Sequence, residues 1–395
     1  MAGFRFGLPA IVIALGLVSF LSDVSSDLVY PLLPLFLSSV LHAGPVALGA
    51  IEGIAEATAS LLKILSGILS DVIRSRLPMI AVGYALAAIA RPLIGATTAW
   101  PQVLALRFLD RIGKGVRTAP RDALIADAAP GERHGAAFGY QRALDNAGAM
   151  VGPLLAAALL QWAGLNLRTV FFIAAIPGIL SVLVLLAAVR DKRAPLEVPP
   201  EEAPKPPKSG WAELGSAYKL YLLALLVFTL GGSSDAFLLL RLGNTGMSPA
   251  AIAVTWAAFH AVKTGTNFVG GRLTDRMGPR SPMILGWLLY AGVYVAFGEP
   301  LPVPALVAVF LLYGAYYGLT EPAGSAWVAR LAAAGRMGAA FGYFHGAVGL
   351  ASLPASLVFG LLWQVFGAQA AFWTGAGLAL AGALLLMRVP AQPRL

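Results

Sequence analysis

The sequence of 395 residues contains no cysteine. This absence excludes a disulfide framework, a thiolate metal site and a cysteine nucleophile. Charged residues are also scarce, because Asp, Glu, Lys and Arg make up only 12% of the chain whereas hydrophobic residues make up 58%. A water-soluble globular domain does not carry a mean hydropathy of +0.77, so the composition predicts a membrane protein.

Motifs that would identify an enzyme or an ATP-driven pump are absent as well. The sequence has no HExxH, no GxSxG and no GxxxxGK[ST], so zinc proteolysis, serine hydrolysis and direct use of ATP are not expected. The four histidines show no metal-ligand spacing, and no cofactor is expected. A membrane-embedded enzyme and a non-transporting sensor remain as alternatives of a different class, and a flux measurement separates the sensor from a transporter.

Twelve predominantly apolar stretches are long enough to cross a bilayer. They predict an all-α membrane protein with twelve transmembrane helices in two pseudo-symmetric six-helix bundles, 1–189 and 213–395. The Pro- and charge-rich interval between the bundles, 190–212, is expected to be a linker. The stretches are 8–40, 46–69, 78–98, 101–120, 136–161, 170–189, 218–242, 248–270, 282–297, 301–327, 338–363 and 371–387.

Lys and Arg concentrate in the loops that follow every second predicted span. By the positive-inside rule, both termini and the linker are expected on the cytoplasmic side of the cell inner membrane. The net charge of +9 therefore indicates orientation in a membrane rather than nucleic-acid binding. The expected partners are the lipid bilayer, a small-molecule substrate and protons, and the protein is expected to be a monomer.

Three short sequence segments of the first half recur in the same order in the second half of the chain. They are GAAFGY at 135–140 and 338–343, PMI at 78–80 and 282–284, and SSD at 25–27 and 233–235. The spacing between the copies is nearly constant, which indicates tandem duplication of a six-span unit.

One loop motif occurs in each half, after the second and the eighth predicted spans. The copies GILSDVIRSR and GRLTDRMGPR resemble the G-x-L-[AS]-D-R-x-G-R-[KR] signature of the major facilitator superfamily. The resemblance implies the fold of that superfamily and a cytoplasmic gate, in which Asp makes charge-assisted bonds with nearby Arg. The gate residues are Gly67, Asp71, Arg74 and Arg76 in the first copy and Gly271, Asp275, Arg276 and Arg280 in the second.

Two further motifs resemble the same superfamily. The stretch RIGKGVRTA is similar to its R-x-x-x-G-x-x-x-A pattern, whose Arg, here Arg111, is associated with proton transfer. Gly148, Gly152 and Pro153 begin a stretch similar to the G-x-x-x-G-P-x-x-G-G motif found mainly in its proton-coupled antiporters, with alanines in place of the last two glycines. The resemblance implies a drug/proton antiporter that exports a small organic compound by alternating access. Proton-coupled uptake by symport is the alternative.

A charged side chain in the bilayer core costs at least about 2.5 kcal/mol, so each one is a functional candidate. Asp23 and Asp27 are four residues apart on one helix face, and two carboxyl groups that close would share protons. Together with Glu56 and Arg111 they are the proton-coupling candidates. The substrate-cavity candidates are Glu52, Arg91, Asp145, Asp235, His260, Tyr317 and Glu321. The charge of the substrate stays open, since the acidic side chains suit a cation and the arginines suit an anion.

Overall fold

The computed structural model describes residues 8–72, 75–129, 134–189, 215–331 and 337–390. Its elements are helices, which confirms the predicted all-α class. The α-helices are α1 (Ala10–Val29), α2 (Leu33–Leu35), α3 (Pro45–Val72), α4 (Leu77–Leu93), α5 (Trp100–Ala128), α6 (His134–Gln161), α7 (Leu167–Ile173), α8 (Ala175–Ala188), α9 (Ser216–Gly231), α10 (Asp235–Asn244), α11 (Pro249–Met277), α12 (Arg280–Gly298), α13 (Val303–Leu331) and α14 (Met337–Leu386).

Proline and glycine account for two irregular regions. Pro31 and Pro34 lack the N–H group that a regular helix needs, and α1 continues through a 3-10 turn at Tyr30–Leu32 and a π turn at Phe36–Val40. Near the other end of the chain, Gly367 has a φ of 88°, a conformation that glycine adopts without steric cost. α14 is therefore two helices that meet at this glycine.

Nine helices of the described residues are long and apolar enough to cross a membrane. The predicted number of twelve is not confirmed, because α5 and α11 carry many polar and charged residues and because two predicted spans run together within α14. Large apolar side chains such as Leu65, Leu183 and Leu384 are more than half exposed, as expected for helices that face lipid. The chain is therefore a multi-pass membrane protein, and spans beyond the nine stay predictions.

The described residues form two compact units. The first unit contains the residues up to Leu41, the residues from Thr58 to Val189, and the stretch Pro249–Ala257. The second contains the stretch His42–Ala57, the residues from Gly215 to Ser248, and those from Ala258 onward. Most of each predicted bundle lies in one unit, and the predicted bundle boundaries stay predictions.

Close helix packing in the first unit depends on glycine. α1 lies along α6, and α4 lies along α5. A Cβ atom added to Gly83 of α4 would lie 2.6 Å from the carbonyl oxygen of Gly113 in α5. A Cβ atom added to Gly113 would lie 2.5 Å from the carbonyl oxygen of Gly83. The two backbones are therefore in contact, as small residues permit in membrane helices.

Aromatic side chains fill the second unit, where α14 packs against α9 and α12. Phe228 of α9 stacks on Trp287 of α12 with ring centroids 4.3 Å apart, and Tyr290 stacks on Tyr294 at 4.2 Å. None of these four side chains is more than 5% exposed. Tyr290 also packs against Tyr313 and Tyr316, so the cluster contacts α13, the helix that carries Tyr317 and Glu321.

Candidate functional site

The acid pair of α1 lies directly against the glycine motif of α6. A Cβ atom added to Gly148 would lie 2.9 Å from the Cβ atom of Asp23, and one added to Gly152 would lie 3.1 Å from the Cβ atom of Asp27. The same positions would be 2.6 Å and 2.7 Å from carbonyl oxygens of α1. Any larger residue would therefore push α1 away, so the glycines set the position of both acids. Pro153 follows within the same helix.

Asp27 has a hydrogen-bond donor that the sequence motifs do not indicate. The indole Nε1 of Trp256 donates to its carboxylate at 2.9 Å. The indole also packs against Tyr30, with ring centroids 5.3 Å apart. Trp256 belongs to the stretch of α11 that is part of the first unit, so a residue far away in sequence completes the surroundings of Asp27.

A buried charge network lies beside this pair. Asp110 of α5 is 1% exposed and accepts hydrogen bonds from Nε of Arg91 at 2.9 Å and from Nη1 of Arg107 at 3.4 Å. The Nε atom of Arg111 is 4.0 Å from the same carboxylate. Three guanidinium groups therefore surround one carboxylate. Asp110 was not among the predicted site residues.

Ser22, the residue before Asp23, connects this network to α1. Arg91 donates to the Ser22 carbonyl at 2.6 Å and to its hydroxyl at 3.3 Å. Arg117 donates to the same hydroxyl at 3.4 Å and to the carbonyl of Gly83 at 3.2 Å. Any shift of α1 along α4 and α5 would therefore break charge-assisted hydrogen bonds.

Arg111 has fewer protein partners than the other arginines of the network. Its Nε atom is buried and has no hydrogen-bond partner among the described residues. Its side chain is 11% exposed, compared with 5% for Arg91 and 4% for Arg107. Arg111 is therefore the guanidinium group of this network that a ligand would reach most easily.

Asp145 of α6 forms a hydrogen bond with a residue of the same helix. One of its carboxylate oxygens accepts from the side-chain amide of Gln141 at 2.5 Å. Asp145 also interacts electrostatically with Asp23, so a third carboxyl group stands near the acid pair of α1.

The second unit has a polar site of its own at the start of α10. Asp235 accepts hydrogen bonds from the hydroxyl of Tyr313 at 2.7 Å and from that of Tyr317 at 3.0 Å. The preceding Ser234 caps α10 and donates to Glu52 at 3.2 Å. Three predicted cavity residues, Glu52, Asp235 and Tyr317, are thus brought into one hydrogen-bonded region.

An ion pair borders this region. Nζ of Lys263 lies 2.9 Å from Glu321 and 3.9 Å from the centroid of the Tyr317 ring. Asn267 donates to the other carboxylate oxygen of Glu321 at 3.2 Å. His260 lies edge-on to the ring of Phe259. Lys263 was not among the predicted site residues.

Other predicted residues lie elsewhere. Glu56 of α3 is exposed and belongs to the second unit. Among the described residues, no group of three or more His, Asp or Glu side chains is arranged to hold a metal ion.

The first gate loop is described only in part. Arg74 and the side chain of Asp71 lie outside the described residues. Arg76 is 4% exposed and forms an ion pair with Asp127 at 2.6 Å, which ties the beginning of α4 to the end of α5. Gly67 lies within α3.

The second gate loop is described completely. Asp275 and Arg276 are exposed at the end of α11, and Arg280 donates to the carbonyl oxygen of Met387. Gly278 turns the chain between α11 and α12 with a φ of 75°, which explains the second glycine of the motif.

We expect Gly278→Ala to lower the free energy of unfolding by about 1–2 kcal/mol, because an L-residue is strained at positive φ. Among the described residues, a Cβ atom there meets only the tip of Arg330, at 3.5 Å, so crowding adds little. Thermal unfolding of the detergent-purified protein measures the effect. Gly271→Ala is the matched control, since Gly271 is helical and no atom of a described residue lies within 4 Å of its Cβ position. Equal effects of the two substitutions would contradict the role of positive φ.

Comparisons with known proteins agree with this architecture. The family model of the Major Facilitator Superfamily matches residues 15–243 and 236–395. An uncharacterized MFS-type transporter of Methanocaldococcus jannaschii is 32% identical over 385 residues, which cover 95% of this chain and 94% of the relative.

Two solved structures share the fold. A bacterial homolog of the human lysosomal transporter Spinster has 18% identity and a TM-score of 0.73, with 95% of this chain and 94% of that chain covered. The nucleoside transporter NupG has 15% identity and a TM-score of 0.74, with 96% of this chain and 98% of that chain covered.

Proposed function

The chain is a membrane transporter of the major facilitator superfamily, and we propose that it moves a small organic solute by proton-coupled alternating access. In this proposal the protein is a monomer in the cell inner membrane, with twelve spans and both termini in the cytoplasm. The bundles 1–189 and 213–395 move relative to each other to expose the solute on either side.

The observation that carries the proposal is the contact between the acid pair and the α6 glycines. Gly148 and Gly152 pack on the two turns of α1 that carry Asp23 and Asp27. A change in the angle or spacing between α1 and α6 would change the surroundings of both carboxyl groups. Coupling requires that a group binds protons with different affinity in two conformational states, and this contact supports such a difference.

Asp27 is the proposed first proton acceptor. It interacts electrostatically with Arg91, Arg111 and Lys114, and its hydrogen bond from Trp256 connects it to α11. Proton binding would weaken both kinds of interaction, because they are made to the carboxylate. The exposed Glu56 is the alternative acceptor.

Two modes of coupling rest on different observations. The α6 motif packed against the acid pair supports export in exchange for protons, since the motif it resembles is found mainly in antiporters. The excess of buried guanidinium groups beside the pair supports a second candidate, uptake of a solute together with protons. We propose export as the first mode and symport as the second.

The double substitution Asp23→Asn and Asp27→Asn tests the proposal. We expect the variant to bind solute and to exchange it downhill but to lose accumulation driven by a pH gradient, because both titrating groups are gone. Uptake into proteoliposomes with and without a pH gradient measures this, with the compounds that stabilise the purified protein as solutes.

Asp122→Asn is the matched control, because the Asp122 side chain is 42% exposed and pairs with Arg121 of the same helix. It should keep the accumulation of the wild type. Uphill transport by the double variant with an unchanged pH profile would place the proton site elsewhere, and Glu56 would be tested next.

A further inference from the structure

Buried positive charges outnumber buried negative charges among the described residues of the first unit. Its described charged residues that are less than a tenth exposed are Arg76, Arg91, Arg107, Asp110, Arg111 and Arg117. Arg76 pairs with Asp127, at the end of α5. Four guanidinium groups are therefore left with one buried carboxylate, that of Asp110.

Among the residues that the structure describes, neighbouring charges do not remove this excess. The partly buried Asp23 and Asp27 add at most two negative charges, so one positive charge is left even when both are ionised. Lys114 and Asp145, which both interact electrostatically with Asp23, add one charge of each sign. An uncompensated charge inside a bilayer is costly, so this region favours a negatively charged ligand.

The excess positive charge is most accessible to a ligand at one guanidinium group, that of Arg111. Arg91 and Arg117 are held by Ser22, by Asp110 or by the Gly83 carbonyl. Arg111 reaches Asp110 only at 4.0 Å, whereas Arg107 donates to Asp110 at 3.4 Å, and the Arg111 side chain is 11% exposed, compared with 4% for Arg107. A guanidinium group presents paired N–H donors that match two oxygens of a carboxylate or a phosphoryl group.

We infer that the transported solute is a small organic anion whose carboxylate or phosphoryl oxygens bind Arg111. The inference rests on the proposed transport function and adds the charge of the solute. Arg91, Arg107 and Arg117 keep their protein contacts and supply the positive field around the bound anion. A cation would be repelled from this region, and a neutral solute would leave the excess charge uncompensated.

The inference bears on the mode of coupling. An anion bound at Arg111 adds a negative charge beside Asp27, which interacts electrostatically with Arg111. Protonation of the acid pair and binding of the anion then support each other, as expected for symport. An anionic solute would therefore make symport, the second mode proposed above, the expected mode of coupling in place of export.

Thermal stabilisation of the detergent-purified protein tests the inference, because a ligand that binds the folded state raises its Tm. The probes are succinate, citrate and glycerol 3-phosphate as anions, succinamide as a neutral compound and 1,4-diaminobutane as a cation. At least one anion should stabilise the wild type more than the neutral and cationic probes. Arg111→Gln should weaken its apparent affinity about tenfold to hundredfold, the usual effect of losing a charge-assisted pair.

Arg142→Gln is the matched control, because Arg142 is an exposed arginine on α6; it should bind the anion like the wild type. Arg111→Lys keeps the charge but loses the paired donors, so it should bind more weakly than the wild type even if Arg111→Gln does not fold. Stabilisation by no anion, stronger stabilisation by the neutral or cationic probe, or equal affinity in the Arg111 variants would overturn the inference. This assay contains no proton gradient. A transporter that binds anions without moving protons would therefore still give the expected stabilisation, and only the proposed proton coupling would be wrong.

Discussion

Replacing Asp110 with alanine is expected to lower the free energy of unfolding by about 3–5 kcal/mol, the usual effect of leaving a buried charge without its partner. Asp110 is 1% exposed and accepts hydrogen bonds from Arg91 and Arg107. Its removal leaves the buried guanidinium groups of α4 and α5 to repel one another. Denaturant or thermal unfolding of the purified protein measures the loss.

Asp122→Ala on the same helix is the matched control. Its side chain is 42% exposed, and its partner Arg121, which is 13% exposed, also donates to Ser19, so the expected loss is smaller, about 1–2 kcal/mol. Adding Arg91→Met to Asp110→Ala should recover part of the loss, because one unpaired charge is removed. Similar losses for Asp110→Ala and Asp122→Ala would contradict the central place of Asp110 in the network.

Gly152→Leu is expected to lower the free energy of unfolding by about 1–3 kcal/mol through overpacking. Even a Cβ atom at this position would lie 2.7 Å from the carbonyl oxygen of Val24, so α1 has to move away from α6. Because Asp27 lies on the turn that is displaced, we also expect a changed pH dependence of solute transport. Thermal unfolding and proteoliposome transport measure the two effects.

The same helix provides the control for this substitution. Gly139 of α6 has no atom of a described residue within 4 Å of its Cβ position, so Gly139→Leu should fold and transport like the wild type. If Gly152→Leu has wild-type stability and pH dependence, α6 does not set the position of the acid pair.

Local features of the sequence predicted the fold class and part of the candidate site. Asp23 and Asp27 share a face because they are four residues apart on one helix. The gap between the last two predicted spans contains Gly367, where the structure divides α14. The α6 glycines were found through their motif, although the sequence did not show that they contact α1.

The partners of the charged residues were harder to predict, because they lie on different helices. Arg91 is on α4, Asp110 on α5 and Ser22 on α1, and hydropathy does not fix the register between helices. Arg91 was predicted to be functional because of its charge and depth, but nothing near it in sequence indicates Asp110. The pairing of Lys263 with Glu321 crosses from α11 to α13 and was missed for the same reason.

The most direct test of proton coupling is the pH change that accompanies solute binding to the purified protein. The probe is the compound that most raises the Tm of the wild type, added to detergent-solubilised protein in weakly buffered solution with a pH indicator. Binding should change the pH in the wild type, with proton release for exchange and proton uptake for symport. The Asp23→Asn and Asp27→Asn double variant should bind the same compound without a pH change. An unaltered pH during binding to the wild type, or an equal change in the double variant, would contradict proton coupling through this pair.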